Sequence, residues 1–418
     1  MATTDAKAPA VAPAASPIST SSRAWPIGFA IAVAVTFVVY QWVLPNSAQS
    51  TQDFFRAWMS LSSVNEAVIW SMMALGLNVV VGYAGLLDLG YVAFWAFGGY
   101  VAGWLMSPFV LQMTPGFANL KFNFFGHPQA GSEGGLHVTF WLVLPIAGLF
   151  CAFWGVVIGA PTLRLKSDYL ALVTLGFGEI IPQVFRNGDD IFGWNISNGV
   201  QGITPIDGIG TGPFQLIPGV PAVLGDFDLT FKFLVYCFLA AICVFVSLRI
   251  REGRLGRAWL AIREDELAAS MMGVPLMRTK LAAYAVGAFA GGLGGVAYAT
   301  HVSAVIPDTF AFSASITLLA MVVLGGMGNV WGVLVGALLL AWINSTGLKQ
   351  IGETVNGALG TEINFPSYNF LIFGVILVLM MLFRREGLIP ESRTRLVLQE
   401  PDRGDLESVG ADLEGDVR

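Results

Sequence analysis

Ionic side chains are scarce in this sequence. Of 418 residues only 12% are Asp, Glu, Lys or Arg, about half of the ~25% found in soluble globular proteins. So few charges cannot cover a water-facing surface of this size, which excludes a soluble enzyme. Basic residues do not dominate the few there are. Lys and Arg number 22 against 28 Asp and Glu, a net charge of −6, so the cationic surface of a nucleic-acid binder is missing. Cysteine is equally sparse: Cys151, Cys237 and Cys243 each lie in an apolar run without a CxxC partner, and read as buried small hydrophobes. His127, His137 and His301 stand at or beyond the ends of apolar runs, with no HExxH and no neighbouring cysteine, so no metal site is expected. No GxxxxGK(S/T) segment occurs, and the chain carries no phosphate-binding loop of its own. No residue is expected to be catalytic.

Apolar residues and glycine fill the space that charge leaves. Hydrophobic residues make up 55% and glycine adds 49 residues, against a combined ~45–50% in soluble proteins. Residues 1–23 are rich in Ala, Pro, Ser and Thr and predict a disordered tail. The first apolar run, Ala24 to Leu44, is long enough to cross ~30 Å of hydrocarbon and longer than the apolar part of a signal peptide. Further runs occupy Val64 to Gly82, Gly90 to Met106, Val138 to Ala160, Asp168 to Phe185, Leu229 to Ile250, Leu281 to Thr300 and Tyr368 to Phe383. Between the last two, Ser313 to Ile343 is interrupted at Gly325-Gly326-Met327-Gly328-Asn329. Each half is too short to span, and the glycine-rich break predicts a broken or re-entrant helix pair; one long kinked helix is the alternative. The expected fold is an all-α polytopic transmembrane bundle over 24–384, with about eight full spans plus this broken pair, and a tail over 385–418.

Basic residues orient it. With the first residues in the cytoplasm, Lys7, Arg23, Arg164, Lys166, the basic residues from Arg249 to Lys280 and those from Arg384 onward fall inside. Only Arg56, Lys121, Arg186, Lys232 and Lys349 fall outside. Both termini are therefore expected in the cytoplasm.

The most informative polar segment is the cytoplasmic loop 249–280. Leu260, Leu267 and Met271 form an apolar stripe that predicts a helix from about Leu255 to Met272, stopped by Gly273 and Pro275. The turn Arg263-Glu264-Asp265-Glu266 is charged all round. It suits a groove on a partner protein, or a solvated connector whose basic residues fix topology. Within the spans, ionisable residues are costly and so are functional candidates. Glu179 falls deep in its run, where it either meets a cationic group of a solute or serves as a buried structural carboxylate. Asp88 lies between two runs, where capping a helix N-terminus competes with a gating role. Asn78 is mid-span, more suited to bonding another helix than a solute. The outer loop 186–228, rich in Gly and Pro, is too long for a minimal connector.

Four blocks carry a family likeness: ALGLNVVVGYAGLLDLGYVAFWAFGGY (74–100), LRLKSDYLALVTLGFGEII (163–181), IREDELAASMMG with the following Thr279-Lys280, and LLAMVVLGGMGNVWG (318–332). In this order and spacing they resemble the permease subunits of branched-chain amino-acid ABC importers, of the LivM type. The resemblance implies a non-enzymatic membrane-spanning permease in the cell membrane that moves branched-chain or other hydrophobic amino acids inward by alternating access. It implies two ABC ATPase subunits, which carry ATP and Mg, a second permease of LivH type, and an extracytoplasmic solute-binding protein. Importers of this class dock a cytoplasmic loop with an EAA-x3-G pattern into the ATPase. Ala268, Ala269 and Gly273 match that pattern, whereas Leu267 stands where glutamate is expected and Glu266 lies one step earlier. Arg263, Glu264, Asp265 and Glu266 complete the implied coupling helix. Asn198-Gly199-Val200-Gln201-Gly202-Ile203 resembles the family's outer-loop N-G-x-x-G-I element, either a docking site for the binding protein or a lid over the pore. Asn78, Asp88, Glu179, Gly325, Gly326, Gly328 and Asn329 are the candidate pathway or gate residues. A urea or short-amide importer of the same family is the alternative. An ion-coupled secondary transporter also has broken helices but leaves the charged loop unexplained.

Overall fold

The structure is a computed structural model that describes residues 24–113, 121–128, 134–165, 167–191, 193–210, 229–360, 364–384 and 387–389. The tail 1–23, the outer-loop segment 211–228 and nearly all of the tail 385–418 lie outside the described residues.

The chain is helical, as its apolar runs require. Helix α1 (Ala24–Val38) continues with a wider turn through Val39–Val43, and the short α2 (Gln49–Trp58) follows. Helix α3 (Leu61–Leu77) starts where the Ser60 side chain accepts from Ser63 N, and is prolonged through Asn78–Tyr83. After α4 (Val92–Leu105) comes a small cap built from β1 (Met106–Ser107), α5 (Phe109–Met113), β2 (Lys121–Phe124) and β3 (Gly135–Val138). Strand β3 is central, antiparallel to β1 and parallel to β2. Then follow α6 (Phe140–Thr162), α7 (Ser167–Arg186), α8 (Leu229–Glu252), α9 (Arg254–Glu264), α10 (Glu266–Met271) and α11 (Leu276–Val302). Helix α12 (Phe312–Gly325) turns into α13 (Val330–Trp342), which runs on through Ile343–Gly347 into α14 (Leu348–Leu359). Helix α15 (Asn369–Phe383) is last.

Among the described residues seven stretches are long and apolar enough to cross a bilayer: Trp25–Val43, Gln49–Tyr83, Phe140–Thr162, Leu229–Glu252, Leu276–Val302, Val330–Gly357 and Phe365–Phe383. The chain is thus an all-α, multi-pass membrane bundle. Two predicted elements differ in form. The Gly90–Met106 run yields a helix of only 14 residues, because 84–91 is non-helical. The Ser313–Ile343 run is not two equal halves: α12 is short, but α13 belongs to a helical stretch of 28 residues ending at Gly357. Helix α7 has the length of a span but carries Asp168, Glu179 and Arg186, and is not one of the seven.

Helix α11 is the centre of the packing, against α6, α4 and α3, while α3 also meets α13 and α8. Lipid offers no hydrophobic drive to bring helices together, so close contact depends on small residues that let backbones touch. A Cβ added to Gly98 on α4 would lie 2.7 Å from Gly292 Cα on α11; one on Gly292 would lie 2.8 Å from Cys151 Sγ on α6. The outward faces of α6 and α8 carry Leu149, Phe153, Phe238 and Phe245, all largely exposed, as a lipid-facing surface requires.

The two ends of the bundle differ. One carries the α9–α10 elbow, the start of α1 and the end of α15; the other carries the small cap. There His137 Nδ1 lies 2.8 Å from Asp207 Oδ2, both side chains buried. Burial pushes the Asp207 carboxyl above the ordinary range while the imidazole draws it back. Ile203 and Val305 exchange backbone hydrogen bonds (2.9 and 3.0 Å), and Asp207 N donates to Met106 O at 2.8 Å, so the segment 193–210 is fastened to the bundle.

If backbone contact at α11 holds the bundle, Gly98→Val should destabilise it by about 1–3 kcal/mol, the usual cost of overpacking. Gly374→Val, where an added Cβ meets nothing within 4 Å, should not. Melting temperatures of the detergent-solubilised variants check this; equal values would refute it.

Candidate functional site

The loop after α8 folds as an elbow rather than one helix. At Asp265 the backbone is extended (φ −154°, ψ 113°), and its carboxylate accepts from Leu267 N at 2.8 Å and Ala268 N at 3.0 Å. That N-cap starts α10 and stops α9, because an Asp side chain offers the next turn's amides a partner the helix itself lacks. The periodic Leu260, Leu267 and Met271 therefore do not share one stripe. Helix α9 instead buries Trp259 and Ile262, and Trp259 Nε1 donates to Thr279 O at 2.7 Å. Gly273 and Pro275 turn the chain into α11.

Two polar ties hold the elbow to the bundle. The Arg263 guanidinium donates to the Gly82 carbonyl at the end of α3. Glu266 Oε1 accepts from Lys280 Nζ at 2.5 Å, with the lysine buried at the start of α11 and the glutamate half-exposed. A cavity of about 260 Å³ lies between the elbow and the bundle, lined among others by Gly85, Leu163, Arg263, Glu264, Glu266 and Lys280. On the far side Leu267, Met271 and Met272 are 68%, 78% and 86% exposed, whereas Ala269 is buried. Apolar side chains so exposed on a fastened elbow are of the type that protein interfaces use.

The glycine-rich break lies at this same end and not at mid-depth. Gly326 and Gly328 have φ of 111° and 90°, a region that favours glycine. Asn78 Oδ1 accepts from Gly328 N at 2.9 Å. Asn329 caps α13 by accepting from Trp331 N (3.1 Å), and its Nδ2 donates to Ile389 O at 3.1 Å. Leu388 N and Ile389 N donate to the carbonyls of Leu324 and Gly325, at 2.8 and 3.2 Å. Asn78, Gly325, Gly326, Gly328 and Asn329 thus form one unit next to the Gly82 carbonyl that Arg263 holds.

The non-helical backbone within the bundle is elsewhere. Gly85 packs on Arg263 at the elbow end, yet Leu89 N donates to Thr174 Oγ1 (3.1 Å), and a Cβ on Gly178 would lie 3.1 Å from Gly90 Cα and 3.8 Å from Phe312. Val92 N donates to Ser315 Oγ at 3.1 Å. Helices α4 and α12 therefore both begin beside the middle of α7, reached from opposite ends by 84–91 and 303–311; broken helices meeting at depth are a transporter geometry. Asp88 is buried in the first segment. It accepts from Gly90 N at 2.8 Å, two residues short of α4, so it shapes a turn and does not cap the helix. Glu179, next to Gly178, is exposed and lines a groove of about 510 Å³ with Ile180, Gln183, Val184, Asn187 and Ile191. Gln183 and Asn187 were not singled out from the sequence, although their i+4 and i+8 spacing from Glu179 was there to be read.

These features sit in a recognisable chain. The family described as branched-chain amino acid transport system / permease component matches residues 59–381, from α3 almost to the end of α15. The chain belongs to this family. The high-affinity branched-chain amino acid transport system permease protein LivM of Escherichia coli (strain K12) is 36% identical over 344 residues, covering 79% of this chain and 70% of that one. The probable branched-chain amino acid transport permease protein LivM of Methanocaldococcus jannaschii is 25% identical and covers 80% and 95%. LivH of Escherichia coli (strain K12), also a high-affinity branched-chain amino acid permease, is 28% identical over 156 residues, covering 37% and 45%. No solved structure matches. As a permease component of an ABC importer the chain is a transport subunit and not an enzyme.

Asp265→Ala should remove the cap of α10 at a cost of about 1 kcal/mol, seen as faster amide exchange over residues 266–271 with α11 unchanged. Asp265→Asn, which can still accept, should restore protection. Equal exchange in all three proteins would refute the cap.

Proposed function

We propose that this chain is one of two permease subunits of an ATP-driven importer of branched-chain amino acids, embedded in the cell membrane with the elbow end in the cytoplasm. The observation that carries the reading is the elbow: a short helix with three exposed apolar side chains, fastened to the bundle by Arg263 and Lys280, in a chain of the branched-chain amino-acid permease family. Two ATPase subunits, which bind ATP and Mg, take Leu267, Met271 and Met272 into a groove. A LivH-like permease completes the pair, and a solute-binding protein delivers the amino acid to the outer end, where the 186–210 segment and the cap form the receiving surface.

The chain's residues supply the coupling. Closure of the ATPases on nucleotide moves α10, and Arg263 carries that movement to the Gly82 carbonyl. From there Asn78 passes it to the Gly326–Asn329 turn through Gly328 N, so the ends of α3, α12 and α13 move as a unit. ATP shifts the equilibrium by its higher affinity for the closed arrangement, and alternating access is the rocking of this unit against the rest of the bundle. Glu179 faces the pathway, and Asp88 fixes the segment from which α4 starts.

Purified complex in proteoliposomes should accumulate leucine only with external binding protein and internal ATP. Uptake that continues without ATP and collapses with a protonophore would establish an ion-coupled carrier instead; transport of urea in place of leucine would move the substrate class to amides. The double variant Leu267→Glu/Met271→Glu should leave the fold intact, since both side chains are mostly exposed, yet lose co-purification with the ATPases and uptake. Retained binding and uptake would overturn the coupling role.

A further inference from the structure

At mid-depth the outward faces of α6, α8 and α15 are apolar, and that of α7 is not. Glu179 lies 12 residues along a 20-residue helix, about 18 Å from its start at 1.5 Å per residue, and its side chain points away from the bundle. A carboxylate facing lipid at mid-depth costs at least ~2.5 kcal/mol, so lipid does not cover this face. The polar groups continue at helical spacing: Gln183 and Asn187 follow Glu179 at i+4 and i+8, all exposed, with Ile180, Val184 and Ile191 beside them in the same groove. The comparable faces of α6 and α8 carry only apolar groups at such positions, with Leu149, Phe153, Phe238 and Phe245 as the largest. Pro182 lacks an N–H, so the i+4 donor that the Gly178 carbonyl would ordinarily receive is missing next to Glu179.

We propose that the outward face of α7 is one wall of the translocation pathway, closed on its other side by the second permease, and that Glu179, Gln183 and Asn187 hold a zwitterionic aliphatic amino acid in transit. The chemistry of the groove matches such a solute group by group. A carboxylate accepts from the ammonium, the two carboxamides donate to the α-carboxylate, and branched aliphatic side chains receive the apolar one. A urea-like solute has no use for the carboxylate and aliphatic stripe together. The second permease is the fitting cover because it brings protein rather than lipid against a polar face and leaves a groove between. The assignment of the solute rests on the function proposed above; that of the face does not.

Cysteine accessibility tests the face. The three native cysteines of this chain are buried, so labelling of the assembled transporter in its native membrane is read on this chain, separated from its partners after modification, against its unsubstituted form. Gly176→Cys, where an added Cβ meets nothing within 4 Å, and Ile180→Cys place thiols at the depth of Glu179; Phe153→Cys places one on the lipid face of α6. A membrane-impermeant cationic thiosulfonate should modify both α7 thiols and spare the α6 thiol. No modification on α7, or equal modification on α6, would put α7 in lipid or in a dry contact and overturn the proposal. In the same complex Glu179→Gln should lower leucine uptake by about tenfold to a hundredfold, the loss of one hydrogen bond to a charged group, with the assembled complex recovered in the same amount. Normal uptake would overturn the role of Glu179. If the unmodified complex carries no leucine, the solute assignment falls with the proposed function, while the labelling pattern still decides which face lines the pathway.

Discussion

Backbone contact between α11 and its three neighbours is the constraint on which the other parts depend. In water such contact would be one choice among several, because burial of large apolar side chains drives helices together. In lipid that drive is missing, and the distance at which two helices meet is set by what stands between their backbones. Glycines on α11, α4 and α3 leave nothing there: Gly76 faces Gly287, Gly98 faces Gly292, and Gly295 packs on Gly99 N. With α11 seated this closely, Lys280 at its start reaches Glu266, and Trp259 reaches Thr279 O. The elbow's position is thus fixed by the same helix that fixes the bundle.

Much of this was legible in the sequence, for a simple reason. A helix crossing hydrocarbon satisfies its own backbone, so long apolar runs such as Phe140–Thr162 and Leu276–Val302 announce themselves by length alone. The loop 249–280 was legible by the opposite signal, as a long charged stretch between two apolar runs. The boundaries inside the apolar regions were not. The Gly90–Met106 run gives no local sign that its helix waits until Val92, and the bonds that hold Leu89 and Val92 reach to Thr174 and Ser315, far away in sequence. The Gly325–Asn329 break read as an interruption at depth because nothing local says that Asn78 and Ile389 meet it at the bundle's end. Within the elbow, the periodicity of Leu260 and Leu267 outweighed the capping tendency of Asp265, which the hydrogen bonds settle in favour of the cap.

The site residues divide by what they hold. Arg263, Asp265, Asn78 and Asn329 each bind backbone, turning a helix end or a turn into a fixed point. Glu179 is the contrary case. It has weak local structural purpose and an orientation that costs free energy unless something polar stands opposite. A chain whose charge is so scarce keeps a carboxylate there only where the surroundings are not lipid.

The turn between α12 and α13 has a further consequence, for the making of the protein rather than its working. The carbonyls of Leu324 and Gly325 are closed by the amides of Leu388 and Ile389, and the Asn329 carboxamide by the Ile389 carbonyl, all just past the final helix. These acceptors lie among buried residues, where an unpaired carbonyl is costly. During synthesis α12 and α13 are in the membrane before their turn can be finished, and it is finished only when α15 has crossed and brought the following residues back. The last helix, lightly packed and mostly facing lipid, therefore acts as the closing stitch of the bundle, and a chain released before it would leave that seam open.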